Sequence, residues 1–342
     1  MKHAHKLTIL IFIVPVMILL FGFFFMRCER TINKNNQQNI SSPITKTAQT
    51  QFSKNNILTN KSPSPELLQI ISKMERRVRE KKRNNKNNSI NIEDKKRILN
   101  MIDTIDNDYG RMQSEFSPED QHVLISLLGS DLLSNYIPLM RILGYRFPNE
   151  LTAEALYDFF QEHEPERYLM SKRVAINMMG RTADPDILQI LRQVTSSSQE
   201  AEKFIDKFSK NKYISEGFGC LEDFLLVVRG DAAGGLVKSQ NSECIEFVHK
   251  LYNELIEEIF AHDARIIFDT PIPKLSRKEY EMKMMYDSLS DAVADANLAQ
   301  DLGFEALYQD AFSRPLPEKM VMKYNRQLNN DFIQRKKQQE QK

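Results

Sequence analysis

Glycine, proline and cysteine are all scarce in this chain of 342 residues. Eleven glycines leave few tight turns, which argues against a many-stranded sandwich or barrel. With so little glycine, thirteen prolines fit neither a collagen-like nor a Pro-rich architecture. Three cysteines exclude a disulfide-dense scaffold and a four-cysteine zinc site. An excess of one charge is missing too: 47 Lys and Arg stand against 46 Asp and Glu. A net charge of +1 gives no global attraction to nucleic acid. Apolar residues at 41% and charged residues at 27% are ordinary for a folded chain and exclude complete disorder.

The balance of charge hides an asymmetry. Residues 27–97 carry 17 basic and 6 acidic side chains, whereas residues 98–342 carry 28 basic and 40 acidic ones. A basic segment precedes an acidic body. Before both, Leu7 to Met26 reads LTILIFIVPVMILLFGFFFM, without a charge. As a helix this run spans about 30 Å, one hydrocarbon core. It exceeds a signal-peptide core, and no small-residue cleavage site follows it. Met26-Arg27 before Cys28 is a poor lipobox. Residues 1–30 therefore read as an uncleaved single-pass anchor. Lys2 and Lys6 favour an N-terminus inside, although Arg27, Arg30 and Lys34 oppose them. With the Asn, Lys and Ile usage of an AT-rich bacterial genome, this places the anchor in the inner membrane and the body in the periplasm.

Residues 31–64 are rich in Asn, Gln, Ser, Thr and Lys and read as a disordered linker. Helix signals begin at Ser64-Pro65-Glu66, with Leu67, Ile71, Met74 and Val78 in a coiled-coil-like stripe. That helix runs into Arg76-Arg77-Val78-Arg79-Glu80-Lys81-Lys82-Arg83. Two readings fit: a patch for acidic lipid headgroups or nucleic acid, or a solvated helix end carrying the favoured positive charge. No aromatic residue interleaves the run, so base stacking has no support and the solvated end is preferred.

Further helices are expected over about 91–109, from Ser117 to Gly129, from Asp131 to Leu143 with a break at Pro138, and from a Thr152 cap to Gln161. Others cover Glu164 to Gly180, Asp186 to Val194 behind Asp184-Pro185, and Ser198 to Lys210. Residues 211–240 hold Gly217, Gly219, Gly230, Gly234 and Gly235 and read as a glycine-containing loop segment around a short apolar run, Leu221 to Arg229, that fits a helix or a strand. Helices resume at Ser242 to His262. Ser276-Arg-Lys-Glu279 is a capping box opening a long helix to about Leu302. The fold class is all-α, with helical regions over 65–210 and 211–342.

The stretch from Arg173 to Leu191 has a helix of small and apolar residues, a glycine, an Asp-Pro turn and a Leu-rich helix. It resembles a HEAT-type repeat, with Gly180 closing the first helix and Asp184-Pro185 opening the second. A shift of 51 residues aligns Val123, Leu127, Leu128 and Gly129 with Val174, Met178, Met179 and Gly180. The resemblance covers residues 117–194 and implies a curved helical surface for binding a protein or peptide.

Signatures of chemistry are few. No Walker A, GxGxxG or GxSxG motif occurs, so no cofactor is expected. Glu254, Glu258 and His262 share a helix face, a spacing that an ordinary surface ion pair explains as well as a metal, and no metal is expected. Wall-cleaving lytic transglycosylases use one Glu, usually followed by Ser. Ser215-Glu216-Gly217 is similar with the order reversed, and makes Glu216 the only catalytic candidate. Cys220 and Cys244 form a disulfide across the glycine segment or stand as two buried thiols. The leading expectation is a membrane-tethered, extracytoplasmic scaffold, adaptor or chaperone that binds another protein. The alternative is a glycan-cleaving enzyme of the cell wall.

Overall fold

In a computed structural model the chain divides into residues 1–54 and 55–342, and every described residue belongs to the second unit. The structure describes residues 64–84, 91–105, 116–128, 130, 136–162, 165–207, 209, 214, 217–263, 265–268 and 274–304, with short pieces of 327–338. The anchor at 7–26 and the linker at 31–64 lie outside these residues, except Ser64, which caps the first helix. No helix among the described residues is long and apolar enough to cross a membrane.

The described residues are all-helical and contain no strand. Local capping explains most helix starts. Helix α1, Pro65–Asn84, opens on Ser64, whose Oγ accepts from Leu67 N at 3.1 Å. It buries Leu67, Ile70, Met74 and Val78. Helix α2, Ile92–Ile105, buries Ile98 and Ile102. Helix α3, Asp120–Leu128, begins with Asp120 paired to Arg97 of α2. Helix α4, Ile137–Arg146, has Pro138 in its first turn, where a missing N–H costs nothing, so Pro138 starts this helix rather than kinking it. Helix α5 is Glu150–Glu162; its cap is Asn149, which accepts from Thr152 N at 3.1 Å, while Thr152 is buried inside.

Helix α6, Pro165–Arg181, turns through Thr182 and Ala183 into α7, Pro185–Ser196. Asp184 caps α7 as expected, accepting from Asp186 N at 3.0 Å and Ile187 N at 3.1 Å. The left-handed residue in this turn is Ala183, φ 54, not Gly180. Gly180 lies inside α6 and serves packing: a Cβ there would sit 2.1 Å from the Gly235 carbonyl oxygen. Helix α8 is Ser198–Phe204.

The expected glycine-containing loop is instead mostly helix α9, Leu221–Lys238, with Gly230, Gly234 and Gly235 inside it. It is the centre of the described body and packs on α6, α7 and α12. Phe224, Leu226, Val228, Ala232, Ala233 and Leu236 are buried over most of its circumference, and the face of Val227, Gly230, Asp231, Gly234 and Lys238 stays partly exposed. The glycines sit where neighbours come close: Gly235 faces the Ile176 carbonyl of α6, and Gly230 and Gly234 face the side chains of Ser288 and Asn177. The Arg229-Gly230-Asp231 tripeptide lies in this helix with Arg229 fully buried. Arg229 donates to Thr195 O at 3.1 Å, Ser196 O at 3.4 Å and Ser198 Oγ at 3.2 Å. It thereby satisfies the last carbonyls of α7 with a charge matched to that helix end.

Helix α10, Ser242–His262, follows an Asn241 cap, and α11 is Arg265–Phe268. Helix α12, Arg277–Leu302, opens with the predicted capping box of Ser276 and Glu279 and closes at Gly303, φ 80.

Candidate functional site

Three helices that share the α9 glycines leave a polar groove of about 370 Å³. Helix α6 supplies Arg173 and Asn177. Helix α9 supplies Asp231 and Lys238 beside Gly230 and Gly234. Helix α12 supplies Asp287, Ser288, Asp291 and Asp295. The close crossing is what brings them together: a Cβ on Gly230 would lie 2.6 Å from Ser288 Oγ, and one on Gly234 would lie 2.9 Å from Asn177 Oδ1.

Arg173 grips Asp231 with two bonds, Nε to Oδ2 at 2.8 Å and Nη2 to Oδ1 at 3.2 Å. Burial pushes the Asp231 carboxyl above its usual range despite Arg173 and Lys238. Lys238 Nζ reaches Asn177 Oδ1 at 3.3 Å and Asp295 Oδ2 at 3.5 Å. Lys283 pairs with Asp287 at 3.1 Å. Asp287, Asp291 and Asp295 recur every four residues and so form one row along α12. Asp291, exposed at the groove in the middle of the row, is also held above its usual range, by partial loss of solvation there and then by the neighbouring carboxylates Asp295 and Asp287. Four carboxylates and three cations leave the groove mildly acidic. Such a lining can accept hydrogen bonds and attract cations.

A second charged region joins α1 to the body. Arg77 is 17% exposed and meets four carboxylates: Glu154 at 3.2 Å, and Asp184, Asp186 and Glu150 each at 2.9 Å. Lys73 pairs with Asp186 at 2.7 Å and Lys81 with Glu154 at 2.7 Å. Lys82 reaches Asp158 at 2.9 Å and Glu162 at 2.7 Å. The basic run at 76–83 is therefore not simply a solvated helix end. Its inward cations are spent on α5 and α7, while Arg76 and Arg79 stay exposed. The sequence asymmetry of a basic segment and an acidic body is, in part, this contact.

The other sequence candidates separate. Glu216 lies outside the described residues. Cys220 and Cys244 are both free thiols, half-buried and buried respectively. Cys220 stands at the start of α9 and Cys244 in the first turn of α10, beyond the far end of α9. An 18-residue helix between them spans about 27 Å, far more than a disulfide bridges. The expected bridge is therefore not formed. Glu258 pairs with Lys278 at 3.4 Å and His262 approaches Glu279 at 3.5 Å, so this face of α10 contacts the start of α12.

Sequence reasoning missed the α12 aspartate row, the Arg173–Asp231 pair and two buried cations, Arg229 and Lys172. The fourfold spacing of the aspartates was readable within an expected helix. The glycine spacing in Gly230-Asp-Ala-Ala-Gly234 also fits one helix face. Lys172 is fully buried in α6, donates to Phe160 O and lies 5.2 Å from the Phe160 ring centre. Burial pulls its amine down to about 7. No sequence pattern marks it. No family model, curated protein or solved structure matches this chain.

Proposed function

We propose that this chain is a membrane-tethered, extracytoplasmic helical scaffold, adaptor or chaperone that binds another protein. In this reading residues 7–26 anchor it in the inner membrane with the N-terminus inside. The body is then periplasmic and offers the α6–α9–α12 groove to a partner segment bearing Lys or Arg. The HEAT-type resemblance of residues 117–194 belongs to the same reading, with α6 and α7 as one helix pair. The observation that supports it is the row of Asp287, Asp291 and Asp295 along an open groove. Like charges four residues apart disfavour the helix that carries them. Lys283 and Lys238 already offset Asp287 and Asp295, and a Lys or Arg of the partner placed at Asp291 would relieve the repulsion that remains at the middle of the row.

The test is photo-crosslinking from position 284, a partly exposed methionine of the groove lining, in the full chain in cells, with and without Asp287→Asn, Asp291→Asn and Asp295→Asn together. A discrete protein adduct that the triple variant loses, at unchanged helicity, supports the reading. An adduct that survives the triple variant removes the groove from it. Protease shielding of the body in spheroplasts overturns the periplasmic placement.

A further inference from the structure

The seat of α1 is predominantly acidic, with Lys207 pairing back to Glu75 of α1 at 3.1 Å. Glu150, Glu154, Asp158 and Glu162 follow one another every four residues along α5, and Asp184 and Asp186 extend the rim at the start of α7. Alone, that row repels itself. It is compensated by a helix with seven basic and three acidic side chains over Pro65–Asn84. The apolar part of the contact is short, four buried side chains from Leu67 to Val78. Three of the four pairing cations are well exposed: Lys73 at 52%, Lys81 at 37% and Lys82 at 48%. Such pairs weaken as salt rises. The connection to α2 is Asn85-Lys-Asn-Asn-Ser-Ile90, without glycine or proline, and six residues reach about 20 Å when extended.

We propose that the α5–α7 face is an exchangeable seat for a basic amphipathic helix, and that α1 of a second copy of this chain can fill it in place of the chain's own. The complementarity is already displayed: every copy carries both the acidic seat and the helix that fits it. Exchange keeps all the ion pairs and the Leu67–Val78 stripe and changes only which chain supplies them. In the membrane-tethered reading proposed above, on which this step rests, copies held on one surface meet at high effective concentration, which favours trading α1 over association through a new interface. Arg77, bound by four carboxylates from two helices, fixes the register of the incoming helix. The inference rests on α1 and its seat, not on the α6–α9–α12 groove.

The experiment uses the full chain purified in detergent and two readouts. The first is binding of a fluorescent synthetic peptide of residues 64–84, which needs no folding of a variant protein. Saturable binding is expected, with an apparent affinity that changes less than about threefold between about 0.05 M and about 0.5 M NaCl while the exchange becomes faster, because the resident helix loses the same ion pairs as the entering one. A peptide carrying R77E and K81E should not bind. The second is mixing of two preparations with different affinity tags, passed through high salt and returned to low salt. Mixed-tag complexes are expected with the wild-type chain and not when both copies carry R77E and K81E. Absence of peptide binding up to about 0.1 mM overturns the exchangeable seat. Equal binding of the charge-reversed peptide overturns the ionic recognition. Peptide binding without mixed-tag complexes overturns the exchange between copies.

Discussion

Replacing Gly180 by alanine adds one carbon at the place where α6 and α9 come closest. An ideal Cβ there lies 2.1 Å from the Gly235 carbonyl oxygen, 2.3 Å from its carbonyl carbon and 2.6 Å from its Cα. All three atoms are backbone, so no rotamer change clears them. Reaching ordinary contact near 3.4 Å requires moving α9 from α6 by about 1.3 Å. α9 is also held by α7 and α12, so the shift disturbs several buried contacts at once. Overpacking a close-packed interior costs about 1–3 kcal/mol and more where backbone must move. Gly→Ala inside a helix recovers up to about 1 kcal/mol of propensity. Sterics win, and Gly180→Ala should lose at least about 2 kcal/mol, with Gly180→Val worse. Two controls share the chemistry but not the geometry. Gly235→Ala meets Ile176 O at 3.0 Å and Leu191 Cδ1 at 3.2 Å and should cost less. Gly217→Ala meets only Leu169 Cδ2 at 3.5 Å and should be near neutral. Urea unfolding of the full chain, followed by far-ultraviolet circular dichroism, gives the order. Equal midpoints for Gly180→Ala and Gly217→Ala would refute the close crossing of α6 and α9.

Lys172 has a folded-state value near 7, below its unfolded value near 10.5, so between these values the unfolded chain binds the extra proton. Its contribution therefore makes the fold more stable as pH rises from 7 towards 10, by at most about 1.4 kcal/mol per pH unit. Lys172→Met should flatten the measured slope of unfolding free energy against pH in that window; an unchanged slope rejects the buried amine. Arg229→Leu strands the Thr195 and Ser196 carbonyls at the end of α7 and should cost about 2–4 kcal/mol in the same unfolding assay. Alkylation of the native chain, mapped by peptide mass spectrometry, should label Cys220 and spare Cys244, with no prior reduction needed. A linked Cys220–Cys244 peptide pair would contradict the length of α9.

Helix boundaries were legible because their causes are local. The Ser276–Glu279 box, the Asp184 cap before Pro185 and the Ser242–His262 segment each depend on residues within one turn of one another. The stripe from Leu67 to Val78 was legible for the same reason, since helical period alone puts it on one face, although Ile70 is buried there and the expected Ile71 only partly so. What a glycine does was not legible. Gly180 reads as a turn from its neighbours, and Gly230, Gly234 and Gly235 read as a loop. Only the approach of α6 and α12 makes them the surface of a buried helix. The basic run at 76–83 likewise showed its charge but not its destination, because Glu154 and Asp184 lie about 80 and 110 residues away in the chain. Cys220 and Cys244 are near in sequence and far apart in space, because the straight α9 helix fills the interval between them. The Asp287–Asp291–Asp295 row is local and was written in the sequence. That it borders a groove opposite Arg173 and Asp231 was decided by long-range packing, which sets the distances on which every charged contact depends.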